Sequence, residues 1–252
     1  MPRDLTALTG GTGGIGLATA RLLLDQDPEA RVALLDLRPD PAADFLAANR
    51  GRASFVECDV TDPGSVAAAF DQIDELDGTL NGLVNGAGNV DNSASVDLDF
   101  DVWRSVLAVH LDGAMLCSQQ AGRRMLARGE GSIVNVASIA GLFGHPRRLP
   151  YSVAKAALMQ LARTLAVEWA RDGVRVNSVA PGFVETPMVE RVQSLGLIDA
   201  EGAARLHAMK RMGRPEEIAE GIAFLLSDRA AFITGEVLRI DGGYSVLKVE
   251  VD

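Results

Sequence analysis

Tyr151 and Lys155, in the run Tyr151-Ser152-Val153-Ala154-Lys155, place a phenol and an ammonium where one helical turn stacks them on the same face. A free phenol ionises near pH ~10, and a positive charge beside it favours the phenolate, so the pair could exchange a proton with an alcohol near neutral pH. Ser138 adds a hydroxyl that could hold the same oxygen. Near the start of the chain, Thr9-Gly10-Gly11-Thr12-Gly13-Gly14-Ile15-Gly16 strips side chains from a turn that leads into a helix pattern. Gly10, Thr12, Gly14, Ile15 and Gly16 suit a pyrophosphate, which needs a tight turn, bare backbone and a helix N-terminus. Each feature alone is common, because Tyr and Lys at this spacing are usually a half-buried ring beside a solvated charge. Their order along one chain, with a strand pattern before the glycines, points to a dinucleotide held beside a proton-transfer site.

These residues need a scaffold that brings strand ends together. The chain has 252 residues and 48% hydrophobic content, enough for one α/β domain spanning 1–252. Apolar runs at 5–8, 32–36, 54–58, 82–85, 132–136, 175–179 and 237–240 alternate with amphipathic stretches at about 14–26, 65–75, 100–128, 151–171 and 216–226. Continuous apolar strands between helices predict a doubly wound parallel sheet with helices on both faces. Ligands in such sheets collect at the carboxyl ends of the strands. Gly10, Asp36, Asp59, Asn85 to Gly88, Ser138 and Pro181-Gly182 each follow or close one of these runs.

The net charge of -10 disfavours nucleic acid and anionic membranes as partners and leaves a small molecule as the expected one. An apolar strand beginning at Leu5 leaves no room for a cleavable leader, so a cytoplasmic location is expected. Cys58 and Cys117 read as buried small hydrophobes, and His110, His145 and His207 lack ligand spacing, so no metal is expected. Asp36, about twenty residues past the glycine loop, can accept both adenosine ribose hydroxyls, with Leu37 beside it. A 2′-phosphate would meet like charge there, which favours NAD over NADP, although Arg38 could swing towards a phosphate.

Over nearly its whole length the chain resembles the short-chain dehydrogenase/reductase family in its compact form. The likeness rests on the glycine segment, Asp59-Val60, Asn85-Gly86-Ala87-Gly88, Tyr151 to Lys155, Asn177 to Gly182, Thr186 and Ile240-Asp241-Gly242-Gly243. It implies a Rossmann-type sheet of seven parallel strands, reversible alcohol–carbonyl hydride transfer and a homotetramer. It further implies that Tyr151 exchanges the proton, Ser138 bonds the substrate oxygen, and Lys155 lowers the Tyr151 pKa and bonds the nicotinamide ribose. Asp59-Val60 would contact adenine, while the Val184 backbone and the Thr186 hydroxyl would orient the carboxamide. Within the family the substrate reads as a secondary alcohol or ketone, with 3-oxoacyl carrier-protein reduction as the alternative. A dinucleotide-sensing binding protein is the reading from another class, and His110 alone favours it.

Two departures stand out. Where the family carries an asparagine in its fourth helix, this chain has His110, read either as preserving activity and adding a group titrating near pH ~6.5 or as a packed helix histidine with no catalytic part. Gly86 replaces the usual second asparagine. Specificity is expected from 140–150, 89–96 and a helical lid at about 183–212 carrying Met188, Val189, Val192, Leu195 and Leu197. Arg147 or Arg148 could pair with a substrate carboxylate, although a solvated loop is the more ordinary role for both. Apolar stripes in 100–128 and 151–171 exceed what one sheet covers and predict subunit contacts.

Overall fold

Runs of Val, Leu, Ile and Ala that are apolar on both faces can be satisfied only inside a sheet covered twice, and that is where they lie. The computed structural model describes residues 4–187, 189, 190 and 199–247. Its strands are β1 (Asp4–Thr9), β2 (Arg31–Asp36), β3 (Ala53–Glu57), β4 (Thr79–Asn85), β5 (Gly131–Val136), β6 (Val174–Pro181) and β7 (Val237–Ile240). They form one sheet in the order β3-β2-β1-β4-β5-β6-β7, and every neighbouring pair is parallel. The order reverses direction between β1 and β4, which opens a crevice beyond their carboxyl ends.

Alternation along each strand divides the core. On one face Leu5, Ala7, Leu35, Leu83, Ile133 and Val176 pack with Val66 and Phe70 of α3 (Pro63–Asp74). Cys117 and Met125 of α5 (Gly113–Arg128) and Ala162 and Ala166 of α6 (Leu149–Trp169) complete that layer. On the other face Leu8, Leu34, Val84, Val134 and Val179 meet Ala20 and Leu24 of α1 (Gly14–Gln26) and Ile218 and Ile222 of a helix at Pro215–Leu226. Phe70, Leu8, Leu34, Ile133 and Ile222 are fully buried, each contributing about 1.5–3 kcal/mol of hydrophobic stabilisation.

The strands extend the apolar runs by up to three residues, as at β4, which begins at Thr79 rather than Gly82. The expected helix over 100–128 is instead α4 (Phe100–Leu107) and α5, separated by a π-helical turn at Ala108–Asp112. The short helix α2 (Ala43–Ala48) has no counterpart in the sequence pattern, and the helix at Ala200–Arg205 falls within the expected lid. Of the expected lid, Met188, Val192, Leu195 and Leu197 lie outside the described residues. Among the described residues no helix is long and apolar enough to cross a membrane.

Candidate active site

A cavity of about 750 Å³ runs along the crevice, lined from Gly10 to Gly16 at one end to Ser138, Arg148 and Tyr151 at the other. The glycine loop is shaped by close backbone approach. Gly10 has φ +64°, and a Cβ there would stand 2.8 Å from the Gly86 carbonyl oxygen. Thr9 ties the loop to the neighbouring strand end, its Oγ1 accepting from the Gly86 and Ala87 amides at 3.1 and 3.2 Å. A Cβ on Gly14 would press on the Thr186 methyl at 3.0 Å, so Thr186 stands directly over the loop. These bare positions form a cradle that side chains would fill, as a bound dinucleotide requires.

The Asp36 carboxylate lines the same end. Its Oδ2 accepts from the Thr12 amide at 3.2 Å and hydroxyl at 2.7 Å, and its Oδ1 accepts from the Leu37 amide at 2.9 Å. Leu37, Asp59 and Val60 line the wall, whereas Arg38 is exposed and outside the lining. Ile15, Gly86, Ala87, Gly88, Pro181, Gly182 and Val184 also face the cavity. Asn85 does not. Its Nδ2 donates to Asn135 Oδ1 at 2.9 Å and Ser118 Oγ at 3.0 Å, joining β4 to β5 and α5. The expectation of Asn85 as a cofactor contact is therefore corrected for its side chain. It shares the parity of Leu83, which faces α5, and that alternation was the available signal.

At the other end, α6 sets Tyr151 and Lys155 one turn apart with the Lys155 Nζ 5.5 Å from the Tyr151 ring centroid. Lys155 is 4% exposed, donates to the Val136 carbonyl at 2.6 Å and is pushed down to about 7 by burial. Burial pushes the Tyr151 phenol up, against the Ser138 hydroxyl and the Arg148 charge, which favour the phenolate. Lys155 lies one turn from the Tyr151 ring, and Arg148 is a second positive group that acts on the phenol. Ser138 follows β5 and its Oγ also accepts from the Ala140 amide at 3.1 Å.

His110 sits in the π-helical turn, 2% exposed, its ring edge-on to Tyr151 at 5.3 Å. Its Nε2 meets the Asn89 backbone, 2.7 Å from the carbonyl oxygen and 3.2 Å from the amide nitrogen. Nδ1 is buried with no hydrogen-bond partner among the described residues. Burial and then the Lys155 charge push His110 down to about 3, so the expected titration near neutral pH is corrected: the imidazole is neutral. Gly88 makes room for it, because a Cβ there would run into the His110 ring.

One cluster escaped the sequence. His145 stacks on Tyr244 at 5.9 Å, Phe183 meets both rings, and His207 packs edge-on against Phe183 and Tyr244. His207 Nδ1 donates to the Ala203 carbonyl at 2.8 Å and Nε2 accepts from the Phe183 amide at 3.2 Å, which anchors the segment after β6. The four residues are far apart in the chain, and no periodicity links them.

The family model described as enoyl-(acyl carrier protein) reductase matches residues 10–245. The chain is 42% identical over 244 residues to the cis-4-hydroxycyclohexanecarboxylate dehydrogenase of Sinomonas cyclohexanicum, covering 96% of this chain and 97% of the relative. It is 34% identical to the cyclohexanol dehydrogenase of Acinetobacter sp. (strain SE19), covering 94% and 93%. A solved structure of ElxO with NADP bound superposes with a TM-score of 0.90 at 30% identity, covering 97% of this chain and all of that one.

Proposed function

The chain belongs to the short-chain dehydrogenase/reductase family, and from that premise we propose that it interconverts a secondary alcohol and its ketone, with NAD as the hydride partner. The observation that carries this reading is a single cavity with a side-chain-free dinucleotide cradle at one end and Ser138, Tyr151 and Lys155 at the other. A dinucleotide held in that cradle would supply the hydride acceptor for the alcohol and the hydride donor for the ketone. Tyr151 exchanges the proton on the substrate oxygen, and Ser138 bonds that oxygen and fixes its approach. Lys155, held by the Val136 carbonyl, supplies positive charge beneath the phenol when protonated and bonds the nicotinamide ribose. Val184 and Thr186 orient the carboxamide, and Asp36 receives the adenosine ribose hydroxyls.

The choice of NAD rests on Asp36 rather than on likeness, since ElxO holds NADP. A 2′-phosphate would face a carboxylate already positioned by Thr12, and no cation lines that wall among the described residues. The relatives' names point to cyclic secondary alcohols, and the apolar wall formed by Ile139, Val90 and Phe183 suits such a ring. The exposed apolar residues Phe100 on α4 and Val153 and Val167 on α6 support assembly into a homotetramer. The free thiols Cys58 and Cys117 accord with work in the reducing cytoplasm.

The test is absorbance of reduced nicotinamide with NAD or NADP and a panel of cyclohexanol, 4-hydroxycyclohexanecarboxylate and acyclic secondary alcohols. Turnover with NAD that is lost in Tyr151→Phe is the expected result. NADH binding without turnover of any alcohol or ketone would favour a sensor instead. The mass in solution at micromolar concentration checks the assembly, with a monomer counting against it.

A further inference from the structure

Arg147 and Arg148 are neighbours in sequence and opposites in structure. Arg147 takes φ +60°, a left-handed conformation that costs a non-glycine residue about 1–2 kcal/mol, and its exposed side chain donates from Nε to the Asn92 carbonyl at 3.0 Å. It clasps the 145–148 turn to the loop at 89–93 across the cavity mouth. Arg148 is half-buried in the cavity wall, and its guanidinium has no hydrogen bond or ion pair among the described residues. The acidic side chain that acts on it is Asp91, which accepts from the Ser93 amide at 3.0 Å and hydroxyl at 2.8 Å and makes no ion pair with Arg148. His145 beside it offers no negative charge and is itself pushed down by burial and by Arg148.

A half-buried cation in a cavity wall that also carries apolar Val90, Ile139 and Phe183 has lost part of its hydration and gains from an opposite charge that joins it. Arg148 and Tyr151 line the same end of one cavity, so an anion on Arg148 and an oxygen on Tyr151 can belong to one small molecule. A planar guanidinium presents paired donors that match a carboxylate. We propose that Arg148 anchors a carboxylate of the substrate, so that the reaction serves hydroxy acids and their keto acids whose reacting oxygen lies at Tyr151. This rests on the secondary-alcohol reading above and names the substrate class of that site.

The experiment compares 4-hydroxycyclohexanecarboxylate with its carboxamide, which differ only in the charge offered to Arg148. Wild type should prefer the acid in kcat/KM, and Arg148→Gln should cut the acid-to-amide ratio about tenfold to a hundredfold. The ratio matters because loss of Arg148 also changes Tyr151, which affects both substrates alike. Arg148→Lys should restore part of the ratio, and Arg147→Gln should leave the ratio in place. Calorimetry of 4-oxocyclohexanecarboxylate against its carboxamide on the NAD-loaded enzyme, in wild type and Arg148→Gln, reads the same preference without turnover. Turnover with no acid preference, or a preference that survives Arg148→Gln, overturns the anchor and leaves the reaction intact. An Arg148-dependent binding preference without turnover of any alcohol keeps the anchor and removes the reaction. A loss of NADH affinity in Arg148→Gln with an unchanged ratio would move Arg148 to the cofactor and overturn the proposal.

Discussion

The two ends of the cavity are held by different kinds of contact. At the cofactor end, backbone meets backbone where Gly10 lies against the Gly86 carbonyl and the Gly86 amide reaches the Thr9 carbonyl, and the Thr9 hydroxyl and Thr186 methyl add to it. At the substrate end, side chains bridge loops: Arg147 to Asn92, His110 to Asn89, and His207 to the Phe183 amide. Backbone contact leaves no choice of residue, whereas side-chain bridges can be exchanged without moving the sheet. The difference teaches where the molecule can change its chemistry's target without losing its chemistry. Tyr151 stands between the two regimes, on a helix whose apolar face is core and whose first turn is site.

The strongest way to sharpen this contrast is to remove the reacting group alone. Tyr151→Phe should lower kcat/KM by roughly 10²–10⁴-fold, the usual contribution of a positioned acid–base group. NADH affinity, measured by fluorescence titration, should change little by comparison. An equal loss in both would mean that Tyr151 positions the cofactor rather than the proton.

Breaking the cofactor end should act on everything at once. Gly10→Ala forces a Cβ into a left-handed position against the Gly86 carbonyl and should cost roughly 2–3 kcal/mol between stability and dinucleotide binding. Denaturant melts with and without NAD separate the two parts. A variant with native stability and native affinity would show that the loop has more room than its backbone contacts indicate.

His110 tests the substrate end through pH. Its folded pKa is about 3 because of burial, while an exposed histidine ionises near 6.5. Between those values the unfolded chain binds a proton that the native state refuses, so stability falls as pH drops from about 6.5 towards about 3. By about pH 4.5 the loss attributable to this one residue is roughly 2 kcal/mol relative to neutral pH. His110→Asn, compared with wild type in urea melts at both pH values, should show a shallower fall. Equal slopes would mean that His110 is protonated in the native state after all.

What could be read from the sequence follows the same division. The strands and the long helices were legible because burial on both faces of a parallel sheet imposes continuous apolar runs, and Gly10, Asp36, Ser138 and Tyr151 mark their carboxyl ends. The break inside 100–128 was not, because no Pro or Gly marks it before Gly113, and the histidine within it reaches a loop twenty-one residues away. The Asn85 side chain points away from the cavity, as its strand parity with Leu83 dictates, and its place in the motif does not reveal that. His145, Phe183, His207 and Tyr244 meet only in three dimensions, and the place of Arg148 in the cavity wall depends on how the 145–148 turn folds.

The smallest expected effect concerns which dinucleotide the backbone cradle accepts, and it asks whether the cofactor end is truly closed to choice. The glycine contacts serve the pyrophosphate that NAD and NADP share, so the distinction falls on Asp36, a side chain at the outer edge of that end. Replacing Asp36 by Asn removes the like charge while keeping an acceptor for Thr12 and for a ribose hydroxyl. The ratio of kcat/KM for NADP to that for NAD should rise about tenfold, equivalent to about 1.4 kcal/mol, without a matching fall in the rate with NAD at saturation. Asp36→Asn together with Leu37→Arg should extend the shift, since Leu37 lines the wall and could aim a cation where the 2′-phosphate would lie. A wild-type preference for NADP, or a ratio unmoved by both changes, would mean that the specificity is set by backbone after all.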